Sequence, residues 1–224
     1  MNNTILIKDA RNRLFEGMRK SFEELGFTLN KSENAFQKKS EGLIQIFYLI
    51  IYKEDDGIHV QPRWSITLKK IVDIYHKVAT KDKKYFKDTT VLGNSLFDLI
   101  AYIDDGIETY TGKSSQYLIE GETDISILIN VIPERFKEYV LPYFNQNSSV
   151  ARVDQLLNKD PRELCIHQWL YPLRACMGLI AAKLVNNPRY FELVYVYGEE
   201  LEDASETYKV EFKNLVELLS KHDS

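Results

Sequence analysis

The sequence predicts an α+β fold, in which an antiparallel sheet built around a 43–68 hairpin is packed by an N-terminal helix and a C-terminal helical layer. Three patterns support this fold class. Apolar residues recur at helical spacing over residues 4–25, two strand-like runs surround an Asp-Gly pair, and the period becomes helical again from Glu122. Strands in one half of a chain and helices in the other are typical of α+β proteins rather than of parallel sheets.

The first predicted element is an amphipathic helix over residues 4–25. Gly26 follows it and supplies the stop, because glycine readily adopts the left-handed conformation that ends many helices. Two short strands are expected next, at residues 27–29 and 35–38, around a polar turn. The apolar face of the helix carries Ile7, Leu14, Met18, Phe22 and Leu25.

The hairpin at residues 43–68 has the clearest local pattern. Two β-rich runs, LIQIFYLIIYK and IHVQPRWSITL, flank the segment EDDG. An Asp56-Gly57 pair suits the central positions of a tight hairpin turn, where both residues need positive φ. Pro62 has no backbone N–H to donate, which predicts that the second strand lies at an edge of the sheet or is bulged there.

The rest of the chain is expected to be mainly helical. An apolar segment over residues 91–103 is of undecided type, and residues 114–119 are expected to form a strand. Pro133 should kink or divide a helix capped by Thr123 or Asp124. Further helices are expected after Ser148 or Ser149, after Asp160-Pro161 and Asn187-Pro188, and over residues 69–79, 173–185, 190–201 and 205–219.

We divide the chain into a region of helix and sheet, residues 1–120, and a helical region, residues 121–224. We expect the two regions to pack as one globular unit, since strands and helices that each bury one face usually share a single core.

Composition and charge exclude several classes of protein. Lys and Arg number 29 against 33 Asp and Glu, a net charge of −4, and the two signs are interleaved, which argues against nucleic-acid binding. The one local exception, five lysines over residues 77–87, is expected to be a solvated loop or helix end. The longest apolar run, residues 43–52, is about half of the roughly 20 residues that a membrane-spanning helix needs. The N-terminal pattern is not that of a secretory signal, and two cysteines suit a reducing compartment. We therefore expect a cytoplasmic protein that binds neither nucleic acid nor membrane.

No motif of a known chemistry is present, so we predict neither a cofactor nor a metal site. The sequence has no glycine-rich phosphate loop and no zinc-binding pair of close cysteines. Cys165, His167 and Cys176 come nearest to a metal cluster, but their spacing is not that of a structural zinc site. Both cysteines are expected to be packed in the helical core.

Alternation along the hairpin places a mixed aromatic and polar set on one face of the sheet. Tyr48 and Tyr52 should share this face with His59, Gln61 and Arg63. A central Asp56-Gly57 turn would pair Tyr52 with Gln61. Because tyrosine and arginine are enriched at recognition surfaces, these five residues are our candidate protein-binding site. In the alternative, a helix covers residues 46–52 and Arg63 lies across a tyrosine ring.

The segments EELGFTLN, TDISILINVIPERFKEYVLPYF and SSVARVDQLLN, together with the order of elements, resemble an uncharacterised bacterial family of cytoplasmic α+β domains of unknown function. The resemblance spans most of the chain and implies an α+β fold. It implies no activity and no catalytic residues. Some small bacterial proteins of this type are immunity or adaptor proteins, so the resemblance favours a binding function.

The leading functional hypothesis is a non-catalytic interaction module of the immunity or adaptor type. The alternative is an enzyme, a hydrolase that uses His59 with a carboxylate from elsewhere in the fold; a deep pocket at His59 would favour it and a filled surface would oppose it. A third hypothesis treats residues 173–219 as a helix pair of a degenerate helical-repeat adaptor.

Overall fold

The computed structural model describes residues 6–108 and 115–221, and its centre is an antiparallel sheet. Strands β1 to β5 are hydrogen-bonded in chain order, and β6 pairs with β4. The α+β prediction is therefore confirmed. The strands are β1 (Thr28–Asn30), β2 (Ala35–Ser40), β3 (Leu43–Glu54), β4 (Gly57–Leu68), β5 (Leu92–Ser95) and β6 (Tyr117–Ile119).

Helices precede, interrupt and follow the sheet. None of those described combines the length and the apolar character that crossing a membrane would need. A 3-10 segment spans Lys83–Asp88, and a π-helical turn, Phe136–Val140, joins α4 to α5. The helices are α1 (Ile7–Glu23), α2 (Lys69–Tyr75), α3 (Leu96–Asp105), α4 (Glu122–Arg135), α5 (Leu141–Asn147), α6 (Val150–Asn158), α7 (Tyr171–Leu184), α8 (Tyr190–Glu200) and α9 (Glu206–Ser220).

The turn of the β3–β4 hairpin differs by one residue from the predicted turn. Asp55 and Asp56 occupy the turn, and Glu54 pairs with Gly57. Gly57 has a φ of 154°, and a Cβ there would lie 2.8 Å from the carbonyl oxygen of Ile119. The glycine therefore allows β6 to approach closely and does not occupy the turn itself. Tyr52 consequently pairs with His59 instead of Gln61.

The prediction that β4 is an edge or bulged strand was wrong. It lies inside the sheet, paired with β3 on one side and with β5 and β6 on the other. Pairing with β6 ends at Val60 and pairing with β5 begins at Arg63. Pro62 lies between these two ladders, at a position where its missing N–H interrupts neither of them.

The core lies on one face of the sheet. Phe47 of β3 contacts Phe22 of α1 and Phe136 of the π-helical turn, with ring centroids 5.4 and 5.1 Å apart. Trp64 of β4 contacts Tyr143 of α5 at 4.7 Å. Because successive strand residues point to opposite faces, the polar and aromatic column of the hairpin faces away from this core.

Most predicted helices and strands are present, with shifted ends. The first helix begins at Ile7; residues 4 and 5 lie outside the described residues, as does residue 114 of the predicted strand that became β6. The undecided segment over residues 91–103 contains β5 followed by α3. Asp124 caps α4 by accepting hydrogen bonds from the backbone N–H groups of Glu120 and Gly121. Pro133 lies inside α4, which continues past it into the π-helical turn.

Asp160-Pro161 does not begin a helix, contrary to the prediction. The segment between α6 and α7 is irregular, and a side chain of α7 binds two of its carbonyl groups and one at the end of α6. The Arg174 guanidinium of α7 is buried and donates to the backbone oxygens of Leu157, Asp160 and Glu163. An arginine with five N–H donors can hold such a loop without a helix.

Candidate functional site

The five predicted binding residues lie together on the sheet face opposite the core. Tyr48 of β3 is opposite Arg63 of β4, Ile50 is opposite Gln61, and Tyr52 is opposite His59. The predicted common face is therefore present, because a shift of the turn by one residue moves each strand partner by two and keeps the parity.

The residues of this face are not equally accessible. His59 and Gln61 are only 5% and 7% exposed, whereas Tyr48, Tyr52 and Arg63 are half-buried. Ile50, between the two tyrosines, is 39% exposed. We call the set Tyr48, Ile50, Tyr52 and Arg63 the hairpin surface; His59 and Gln61 lie beneath it as a buried polar layer.

The buried layer holds two side chains of the hairpin surface in place. The Tyr52 ring stacks on the His59 ring, with centroids 5.3 Å apart and planes 15° apart, and its hydroxyl donates to Gln116. Arg63 Nη1 donates to Gln61 Oε1 at 3.3 Å. The Arg63 guanidinium does not lie over a tyrosine ring of the described chain. The cation–π contact of Arg63 in our alternative interpretation is therefore not observed.

No described helix covers the hairpin surface. The alternative interpretation placed a helix over residues 46–52. The side chains of this segment that point to the hairpin face, from Ile46 to Tyr52, are half-buried or exposed. At the far end of the same face, Phe86 of the 3-10 segment borders a cavity together with Ile44 and Thr67. Within residues 6–108 and 115–221, the chain therefore approaches the Ile44 end of this face, and the side chains of the hairpin surface stay half-buried or exposed.

His59 does meet carboxylates, but they come from its own hairpin. Its Nε2 lies 2.7 Å from Asp56 Oδ1 and 3.6 Å from Glu54 Oε2. The hydrogen bond to His59 holds the pKa of the exposed Asp56 carboxyl below its usual value. A carboxylate can only accept, so Nε2 carries the proton of this contact. The other ring nitrogen, Nδ1, is buried without a hydrogen-bond partner in the described chain.

Glu54, Asp56 and His59 form the one group of described residues whose ligand atoms could surround a metal ion, all within 4.8 Å of one another. A metal on Nε2 would move the imidazole proton to Nδ1, where the buried N–H would lack an acceptor. Metal-binding histidines normally donate their second N–H to a carboxylate, carbonyl or water. The chemistry of this group therefore fits a hydrogen-bonded turn better than a metal centre.

A cavity of about 260 Å³ borders His167, and our reading of the sequence missed it. The sequence indicated packed roles for Cys165 and His167 and did not predict a cavity beside them. Both cysteines are buried, as expected, and the Cys165 thiol donates to the Leu156 carbonyl at 3.7 Å. The cavity draws its walls from α3, α6, the irregular segment before α7 and Arg174 of α7, a combination that no local sequence pattern reveals.

No family model matches the chain, and comparison with curated proteins and with solved structures gives no match either. The functional interpretation therefore depends on the geometry of the chain itself.

Proposed function

We propose that the protein is a non-catalytic interaction module that binds another protein through the hairpin surface. The supporting observation is the fixed position of Tyr52 and Arg63, which His59, Gln116 and Gln61 hold before any partner arrives. A side chain that is already ordered loses little conformational entropy on binding. Tyrosine and arginine are also among the residues that most often dominate the binding energy of protein interfaces.

The charges around the hairpin surface favour a protein over a nucleic acid. Glu54, Asp55 and Asp56 are exposed carboxylates at its turn end, and they would repel phosphate groups. Arg63 supplies a positive charge near the two tyrosines. We therefore expect a partner with an apolar patch for Tyr48 and Ile50 and a carboxylate opposite Arg63. We further propose that this binding takes place in the cytoplasm and serves an immunity or adaptor role.

The hydrolase alternative receives less support from the geometry. A general base must reach the proton that it abstracts, yet the His59 ring is 5% exposed, is stacked on Tyr52, and has its Nε2 engaged by Asp56. These contacts favour a role for His59 in positioning Tyr52.

The double variant Tyr48→Ala/Arg63→Ala tests the proposed function. We expect it to lose a partner that the wild-type protein retains in quantitative affinity capture from its native cells, with Tm changed by less than about 4 °C. Phe191→Ala is the matched control, because this aromatic side chain of α8 is 79% exposed and outside the hairpin surface. A photo-crosslinking residue at Ile50 should label the same partner directly.

Equal capture by the wild type and the double variant would refute the proposal. Capture that the Phe191→Ala control also loses would place the interface elsewhere and refute the assignment to the hairpin surface. Crosslinking from position 50 distinguishes direct contact from indirect recovery of the partner.

A further inference from the structure

The cavity beside His167 has a rigid wall. The backbone oxygen of His167 accepts a hydrogen bond from Gly93 N at 2.8 Å, and Asn94 of β5 donates to the preceding carbonyl, that of Ile166, at 2.6 Å. The imidazole is 4% exposed and lies between the rings of Tyr102 and Tyr143, with centroids 4.8 and 5.8 Å away. These contacts fix the direction in which the imidazole nitrogens point.

The buried hydroxyl of Tyr143 determines which nitrogen of His167 carries the proton. The Tyr143 hydroxyl oxygen is 2.8 Å from His167 Nδ1. Among residues 6–108 and 115–221, Nδ1 is the one hydrogen-bond partner of this hydroxyl. Burial raises the pKa of Tyr143 well above its usual value, so the hydroxyl is protonated, and Nδ1 is the one acceptor among the described residues to which this buried O–H group can donate. Burial, followed by the positive charges of Arg174, Arg152 and Lys159, lowers the pKa of His167 to about 3. At neutral pH the imidazole is therefore uncharged and bears its proton on Nε2.

The Nε2–H group of His167 is a donor without an acceptor in the described part of the chain, on a residue that lines the cavity. Among the described residues, the one fully buried side-chain nitrogen or oxygen without a partner is His59 Nδ1, so Nε2 of His167 is not sealed in the core and reaches the open space of the cavity. A ligand that matches this N–H donor would place an oxygen acceptor inside the cavity.

Arg152, at the rim of the same cavity, is a cation held by neutral groups. Its Nε donates to Asn147 Oδ1 at 3.2 Å and its Nη1 to Gln155 Oε1 at 2.5 Å. No carboxylate of the described residues pairs with it, whereas the neighbouring Lys159 binds both oxygens of Glu108. The charge of Arg152 is therefore uncompensated, and its remaining N–H donors are available.

We propose that this cavity binds the oxyanion head group, a carboxylate or a phosphate, of a small organic molecule. His167 Nε2–H is the donor in the cavity wall and Arg152 is the cation at the rim. Charge-assisted hydrogen bonds from arginine to such groups are short and strong. Of the acidic residues that also line the cavity, Glu108 is neutralised by Lys159, while Asp160 and Glu163 are exposed and present their backbone oxygens to Arg174. A volume of about 260 Å³ limits the ligand to a small molecule.

Histidine-selective ¹⁵N NMR of the full chain tests this site. Inorganic phosphate and acetate are titrated in separate series at constant ionic strength, with sodium chloride as the reference salt. We expect at least one of the two anions to shift the Nε2–H resonance of His167 in a saturable way, while chloride leaves it in place. The anion that saturates the shift at the lower concentration identifies the head group.

Arg152→Gln should weaken the binding of that anion by at least about tenfold, because it removes a rim cation with which no described carboxylate pairs. Arg135→Gln is the matched control, since it removes an exposed arginine of α4 that pairs with Glu138 and does not line the cavity. The control should bind as the wild type does. The proposal is overturned if both anions act like chloride, or if Arg152→Gln and the wild type bind equally well.

Discussion

At the scale of single residues, Gly178 of α7 lies where a side chain has no room. A Cβ at this position would lie 2.5 Å from Asn158 Oδ1 and 3.0 Å from the Tyr197 hydroxyl. The two groups belong to one buried network, in which Tyr197 donates to Asn158 at 2.6 Å and Asn158 donates to the Gly178 carbonyl at 2.9 Å. Asn158 also donates to the buried Asp154 at 2.7 Å. An added methyl group would therefore separate hydrogen-bonded partners of this buried network.

We expect Gly178→Ala to lower the free energy of unfolding by about 2–4 kcal/mol, the combined cost of overpacking and of broken buried hydrogen bonds. Gly198→Ala in α8 is the control, because its Cβ would meet only Phe212 Cε1 at 4.0 Å. Alanine there should be neutral or stabilise the helix by up to about 1 kcal/mol. Urea unfolding of both variants measures the difference, and equal stabilities would contradict the rigid network.

Residue patterns predicted the common face of the hairpin but not the roles of its members. Tyr48, Tyr52 and Arg63 had to share a face, since strand alternation does not depend on the turn. The burial of His59 depends on Tyr52 and on the contact of β4 with β6, which is distant in sequence. The same limit applies to His167, whose proton position depends on Tyr143 of another element.

Among the elements, α9 is attached to α2 and the segment after it through a buried carboxylate, that of Glu211. The helical spacing of apolar residues did not predict that this carboxylate is buried. Glu211 is 3% exposed and accepts hydrogen bonds from the Tyr75 hydroxyl at 2.8 Å and from Thr80 N and Oγ1 at 2.7 Å each. Burial, with Glu211 as the next cause, raises the pKa of Tyr75 above its usual value. The three groups that donate to Glu211 lie in α2 and in the segment after it, more than 130 residues earlier in the chain. The sequence therefore predicted this helix without indicating how it is fixed.

Glu211→Ala should cost about 2–4 kcal/mol of unfolding free energy, because it leaves three donors without an acceptor. Glu217→Ala, an exposed position on the same helix, should change the free energy by less than about 0.5 kcal/mol. Hydrogen exchange should show faster exchange in α9 and around Thr80 for the first variant alone. If Glu211→Ala were as stable as its control, the carboxylate would not be what holds the helix.

At the scale of the whole molecule, the sheet and the C-terminal helices share one core. Phe47 and Trp64 of the sheet pack against Phe136 and Tyr143, which lie beyond residue 120. A chain that stopped at that residue would keep α1 to α3, but Phe47 would lose its contact with Phe136 and Trp64 its contact with Tyr143, which would leave these aromatic side chains partly exposed to water. Their exposure would remove much of the hydrophobic free energy that stabilises the sheet. The predicted division at residue 120 thus separates two regions whose apolar side chains bury one another.

We therefore expect the full chain to unfold in a single cooperative transition. Urea curves followed by tryptophan fluorescence and by far-ultraviolet circular dichroism should coincide, which is the test of two-state unfolding. The fluorescence comes from Trp64 of the sheet and Trp169 of the segment before α7, and the circular dichroism mainly from the helices, so two separable units would give curves that do not coincide. The fragment of residues 1–120 should lack the dispersed amide spectrum of a folded sheet, because its strands lose the aromatic layer supplied by Phe136 and Tyr143. A folded fragment, or non-coincident curves, would show instead that the sheet is stabilised without the helical layer.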